Sequence, residues 1–227
     1  MTKKNLVLGV LFILPIVVYL FFASGVNNFY RLPVLTQGVS ELDSFTSTTD
    51  TLQLKGNITI LGFLGEDAEN KKGNIFNLNQ KIYKRFYQFK DFQFVMLLPN
   101  GMEATAKSLE EELAGSTDTD TQKWHFAFGD EFALKEIFNS LQTNMALEPD
   151  LGSPYVFIID KELQLRGREE DEDGGTLYGF DARSVAAINN KMEDDIKVVL
   201  AEYRLALKKN DNYENRRESI LKKKPAQ

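Results

Sequence analysis

Four short apolar runs, separated by stretches of helical spacing, constrain the fold of this chain more than any other feature. They occupy residues 58–64, 92–98, 124–128 and 155–159, and each reads as a buried strand. Between them, Ile75, Leu78, Ile82, Phe86 and Phe89 recur at helical spacing. Residues 104–113 read as a second helix. Residues 131–142 read as a third, with Phe132, Ile137 and Leu141 on one face. The fourth strand joins 163–166 through Asp160-Lys161-Glu162, a hairpin turn. A long helix over 184–207 follows, its buried stripe marked by Ile188, Met192, Ile196, Val199 and Tyr203. The order β-α-β-α-β-α-β-β-α implies parallel βαβ units closed by an antiparallel pair. The expected fold class is α/β, a mixed sheet flanked by helices.

The N-terminus adds a different kind of segment. Lys3 and Lys4 precede an uncharged apolar run over 6–23. As a helix that run is about 27 Å long, enough to cross a hydrocarbon core. Pro15 would break a soluble helix but is tolerated in a membrane span. Basic residues before the run place the N-terminus in the cytoplasm and the rest of the chain outside it. A cleaved signal peptide is the rival reading, with small residues at Ala23-Ser24-Gly25. The apolar run is, however, longer than the roughly 7–15 residues of a signal core. Both readings export the domain.

The chain therefore divides into a cytoplasmic stub and transmembrane anchor (1–26), a polar juxtamembrane linker rich in Ser and Thr (27–50), a folded domain (51–207) and a charged flexible tail (208–227). The expected location is the cytoplasmic membrane, single-pass, with lipid contacted through the N-terminal helix. A protein partner at the membrane is also expected.

Charge and composition exclude several functions. A net charge of −6 argues against nucleic-acid binding, which needs a basic face. The chain has no cysteine, so it has no disulfide, no thiolate nucleophile and no thiolate metal site. No Gly-rich phosphate loop is present, and no cofactor is expected.

The element order, closed by a hairpin and a last helix, resembles the thioredoxin fold. Ser153-Pro154 stands directly before the fourth strand, where thioredoxin-like proteins carry a cis-proline. Residues 155–160 followed by Leu165-Arg166-Gly167-Arg168 look like the closing hairpin of the Sco/SenC family, and Asn28-Phe29-Tyr30-Arg31-Leu32-Pro33 is similar to the segment after that family's anchor. Sco/SenC proteins are membrane-anchored copper-handling proteins of cytochrome oxidase assembly. The resemblance implies a CxxxC motif after the first core strand and a histidine before the hairpin. Here Glu66 and Asn70 stand at the two cysteine positions and Gly152 at the histidine position. Copper(I) favours thiolate and imidazole, and these residues offer neither.

Other residues carry weaker signals. The 65–73 loop sits where a thioredoxin active site would, and reads either as a recognition surface or as a solvated loop. His125, the lone histidine, has no partner His or Cys in the chain and reads as structural. The run Glu169, Glu170, Asp171, Glu172, Asp173 is the strongest charge feature. Three readings stay open for it: a solvated loop, a divalent-metal site of oxygen ligands, and a contact for a basic partner. The tail, with Arg216, Arg217 and Lys222-Lys223-Lys224, reads as a lipid contact or a solubilising terminus. The functional expectation is a non-enzymatic, membrane-tethered thioredoxin-like module, an accessory or scaffold in respiratory-complex assembly. The alternative is a metal- or basic-partner-binding protein using the acidic run.

Overall fold

The computed structural model describes residues 3–23, 31–47, 52–116 and 119–206, without the side chains of 5, 6, 22 and 23. It divides into two units, 1–30 and 31–227.

The first unit is helix α1 (Lys3–Ala23), with Pro15 inside it. From Val7 to Phe21 its large apolar side chains are exposed all round. Among the described residues no helix is long and apolar enough to cross a membrane.

The second unit is built on β3 (Ile58–Phe63), β4 (Phe92–Pro99), β5 (Trp124–Gly129), β6 (Tyr155–Ile159) and β7 (Gln164–Arg166). β3, β4 and β5 are parallel, β6 runs antiparallel to β3, and β7 antiparallel to β6. All of β3 and β4 is buried because helices cover both faces. Alternation sorts the side chains. Phe92, Phe94, Met96 and Leu98 join one core with Trp124, Phe126, Ile158 and Ile60. Val95, Leu97, Phe63, Phe157 and Leu165 join the other.

Helices α2 (Lys72–Leu78), α3 (Lys84–Phe86) and α4 (Glu103–Ser116) pack on the first core, with α5 (Glu131–Ser140) on the second. Asp130 caps α5 by accepting from the Ala133 amide at 2.8 Å. Its buried stripe is Ala133, Leu134, Ile137 and Phe138. Phe132, expected on that face, is 74 % exposed instead. Five residues separate it from Ile137, which puts the two on different sides of a 3.6-residue turn.

The segment expected to be a linker is part of the fold. β1 (Val34–Gln37) pairs with β7 at one edge of the sheet, and β2 (Thr46–Ser47) pairs with β5 at the other. Between them the chain crosses the α5 face, burying Val39 and Leu42. Thr36 Oγ1 donates to the Leu141 carbonyl at 2.7 Å on the way. The 27–30 and 208–227 parts of the expected organisation lie outside the described residues.

Two expected helices carry π-helical turns. One, Asn79–Tyr83, links α2 to α3. The other, Ile188–Met192, follows α6 (Val185–Ala187) and leads into α7 (193–206). The last short strand, β8 (Phe180–Asp181), pairs with β6. The order β7-β6-β3-β4, with a parallel βαβ unit and an antiparallel hairpin, is the thioredoxin-like arrangement.

Candidate functional site

The site grows from the C-terminal end of β3. Past Phe63 the chain turns at Gly65, whose φ of +72° suits glycine. A Cβ there would lie 2.4 Å from the Asp150 carbonyl. That carbonyl instead accepts from the Glu66 amide at 2.8 Å. A second loop closes from the other side. Its Glu148 amide donates to the Gly152 carbonyl at 2.8 Å, and the Ser153 amide donates to the Phe63 carbonyl at 2.8 Å. The 65–73 and 148–153 loops are therefore stitched backbone to backbone.

Lys71 lies at their junction. Its Nζ donates to Asp150 Oδ2 at 2.5 Å and to the Leu64 carbonyl at 3.2 Å, and lies 3.0 Å from Glu148 Oε2. Three acceptors thus meet the three protons of one ammonium. Burial pushes the Asp150 carboxyl up, but bonds from Lys71 and the Gly152 amide outweigh it and hold the group below the ordinary carboxylate value.

The expected reactive positions fall around this lysine without converging. Glu66 and Asn70 are exposed, and the Asn70 amide donates to Asp67 Oδ1 at 2.6 Å. Gly152 abuts Lys71: a Cβ there would sit 2.0 Å from Nζ. No side chain fits at 152 while Lys71 is in place. A soft metal such as copper(I) does not fit this donor set, which offers one carboxylate, one amide, no side chain and an ammonium among them. Lys71, Glu148 and Asp150 are the residues that sequence reasoning missed. The sequence shows opposite charges in Lys71-Lys72 and Glu148-Pro149-Asp150, but nothing in it shows that they face each other.

Ser153-Pro154 takes the expected place but not the expected geometry. No described peptide bond is cis, so this bond is trans. Its backbone is held on both sides, by Ser153 to Phe63 and by the Ala182 amide donating to the Pro154 carbonyl at 2.9 Å. Those contacts fix the approach to β6 with a trans bond.

The acidic run borders a second feature, an open cavity of about 720 Å³ lined by Tyr155, Asp171, Asp181, Asn190 and Lys191 among others. Asp171 is not a free carboxylate. Lys191 donates to it, Arg168 lies within 3.4 Å, and its side chain is 4 % exposed. Burial raises this group, and the Lys191 bond and the two cations more than reverse the effect, so its pKa is lowered. Lys191 also holds Asp173 at 2.5 Å. Arg168 makes a two-pronged bond to Asp195, with Nε 2.9 Å from one oxygen and Nη2 2.9 Å from the other. Glu169, Glu170 and Glu172 are exposed. Among the described residues no three His, Asp or Glu are grouped to hold a metal ion. His125 lies on β5 opposite Val95 and lines neither feature, and burial lowers its pKa.

No protein-family model matches the sequence, and no characterised relative matches it. Solved structures do. BsSco, a member of the Sco family of cytochrome c oxidase assembly proteins in which a disulfide switch was identified, superposes with a TM-score of 0.52 at 11 % identity, over 75 % of this chain and 98 % of its own. A SCO1/SenC family lipoprotein from Bacillus anthracis str. Ames gives 0.51 at 16 % identity, over 75 % and 99 %. At such identities the likeness is one of fold. The chain carries a cysteine-free, thioredoxin-like domain similar to those of Sco and SenC structures.

Proposed function

We propose that this chain is a membrane-tethered, non-catalytic thioredoxin-like module that engages a protein partner, as an accessory or scaffold in respiratory-complex assembly. The observation that carries the reading is the state of the reactive centre: Lys71 and its carboxylates fill the junction beside Gly152, and Glu66 and Asn70 face solvent. A cysteine-free loop pair, ion-paired through Lys71 at the end of a thioredoxin-like sheet, suits recognition rather than turnover. The tether is α1. A helix that exposes apolar side chains all round belongs in lipid or under protein, and Lys3 and Lys4 ahead of its apolar run favour export of the domain. Assembly of an oxidase enters the proposal from the description of BsSco.

Affinity capture of the full chain from detergent-solubilised membranes tests the reading. Recovery of respiratory or assembly proteins is the expected result. Recovery of neither, from membranes that contain them, sinks the assembly role. A soluble chain in carbonate-washed cell fractions removes the tether.

The acidic-run alternative narrows under the same geometry. Asp171 and Asp173 both pair with Lys191, and Arg168 also reaches Asp171. Glu169, Glu170 and Glu172 are left facing outward, which suits a basic protein surface better than a metal ion. Calorimetric titration with Ca²⁺, Mn²⁺ and Cu²⁺ is expected to show no binding tighter than about millimolar, the weak end of calcium sites.

A further inference from the structure

We infer that the Lys71 ammonium is a built-in cation that does the structural work a bound metal ion could do, fastening together two loops whose backbones also meet. Three oxygens from two separate parts of the chain converge on one positive point. They are the Leu64 carbonyl from the end of β3, and Glu148 Oε2 and Asp150 Oδ2 from the loop before β6. Oxygens of mixed carbonyl and carboxylate type around a single cation are what a hard metal site looks like. Here the cation is covalently attached, and its side chain is only 14 % exposed.

The backbone is shaped around this charge. A Cβ at position 152 would meet the Leu64 carbonyl at 2.8 Å, which is fixed backbone, and the Lys71 Nζ at 2.0 Å, which would have to swing away from its three acceptors. The glycine and the lysine are therefore two halves of one solution. The ammonium enters where a side chain at 152 would have been, and a side chain at 152 would expel the ammonium. Two carboxylates left facing each other without it would repel. The consequence is a loop pair whose geometry does not depend on metal supply. The inference deepens the non-catalytic reading above and rests on it for the claim that no other occupant competes for the site.

The test is chemical rescue, read by hydrogen–deuterium exchange with mass spectrometry on the full chain in detergent. In Lys71→Ala, exchange in 65–73 and 148–153 is expected to accelerate about tenfold or more while β4 and β5 hold their rates, as for a local opening. Millimolar CaCl₂ or n-propylammonium chloride, each supplying a free cation to the emptied site, is expected to recover at least half of the lost protection. Choline chloride at equal ionic strength, too bulky to enter, is expected to recover none. Wild-type exchange should ignore all three. If Lys71→Ala leaves both loops unchanged, the inference is wrong. It is also wrong if the loops loosen and neither small cation restores them, because the lysine then acts only through packing. Equal protection by choline overturns it too. If Lys71→Ala does not fold, Glu148→Gln serves, since its side chain is 42 % exposed. An acceleration of about two- to fivefold confined to the same two loops is expected there, because a charged acceptor is replaced by a neutral one. An unchanged rate would overturn the inference. None of these outcomes depends on partner capture, so failure of the assembly role and failure of the built-in cation are read separately.

Discussion

Arg166 and Leu32 lie 134 residues apart in sequence, and the Arg166 guanidinium donates to the Leu32 carbonyl from both Nε, at 2.9 Å, and Nη2. The same guanidinium reaches Asp160 at 3.0 Å and Glu202 at 2.7 Å. Glu202 in turn accepts from the Leu32 amide at 2.8 Å. One side chain on β7 thus fastens the entry of the domain to its last helix, α7. Because Asp160 is fully buried, Arg166→Met would leave a carboxylate with no counter-charge. Breaking one partner of such a pair costs about 3–5 kcal/mol. Urea unfolding should show that loss. Arg166→Lys should fall between, since an ammonium cannot reproduce the planar fork. Equal stability of Met and wild type would show the clasp to be dispensable.

Gly65 gives a prediction on backbone geometry. Its positive φ and the Asp150 carbonyl 2.4 Å from any Cβ act together. Gly65→Ala should destabilise by more than about 1 kcal/mol, the size seen when a side chain is forced into an incompatible backbone. Gly73, in the same loop, has nothing within 4 Å of where a Cβ would stand, and a normal φ. Gly73→Ala should be neutral or slightly stabilising at the start of α2. Thermal melts of the pair check both at once.

The strands and main helices were legible because their signals are local. A run such as 92–98 can only be a doubly covered strand, and the 184–207 stripe held through its π-helical turn: Ile188, Met192, Ile196 and Val199 are all buried. What was missed is long-range. Nothing local marks Val34–Gln37 or Thr46–Ser47 as strands, since one is only four residues long and the other two, and each pairs with a strand far away in sequence. At the site, position matching located Glu66, Asn70 and Gly152 but not what fills the space. Lys71 meets Asp150 across 79 residues, and no spacing rule links them. The trans Ser153-Pro154 bond shows the same limit: a proline permits a cis bond without requiring one.

Asn79 is fully buried in the first π-helical turn, and among the described residues neither amide atom of its side chain has a hydrogen-bond partner. An unsatisfied buried polar group costs about 1–3 kcal/mol, and an apolar group of the same shape removes that cost. Asn79→Leu should therefore raise the midpoint of urea unfolding without changing its slope. A destabilised variant would mean that the amide is needed, which its surroundings do not suggest.

His125 sets the pH response between about 5 and 7, because it is the lone histidine. Burial depresses its pKa from the ordinary 6.5. In the unfolded chain the imidazole titrates at that ordinary value. Between the two values the unfolded state binds more protons, so stability rises with pH. The contribution is fully present above about 6.5 and is lost as the pH falls toward the depressed folded value. Glu162, raised mainly by burial, and Asp195, raised by burial against the pull of Arg168, give slopes of the opposite sign near the same window. The comparison is therefore wild type against His125→Gln at each pH. The stability difference between them should shrink as the pH drops from 7 to 5, and the single imidazole resonance should titrate below 6.5. A difference that stays constant with pH, or a titration at or above the ordinary value, would mean the ring is solvated rather than half-buried on β5.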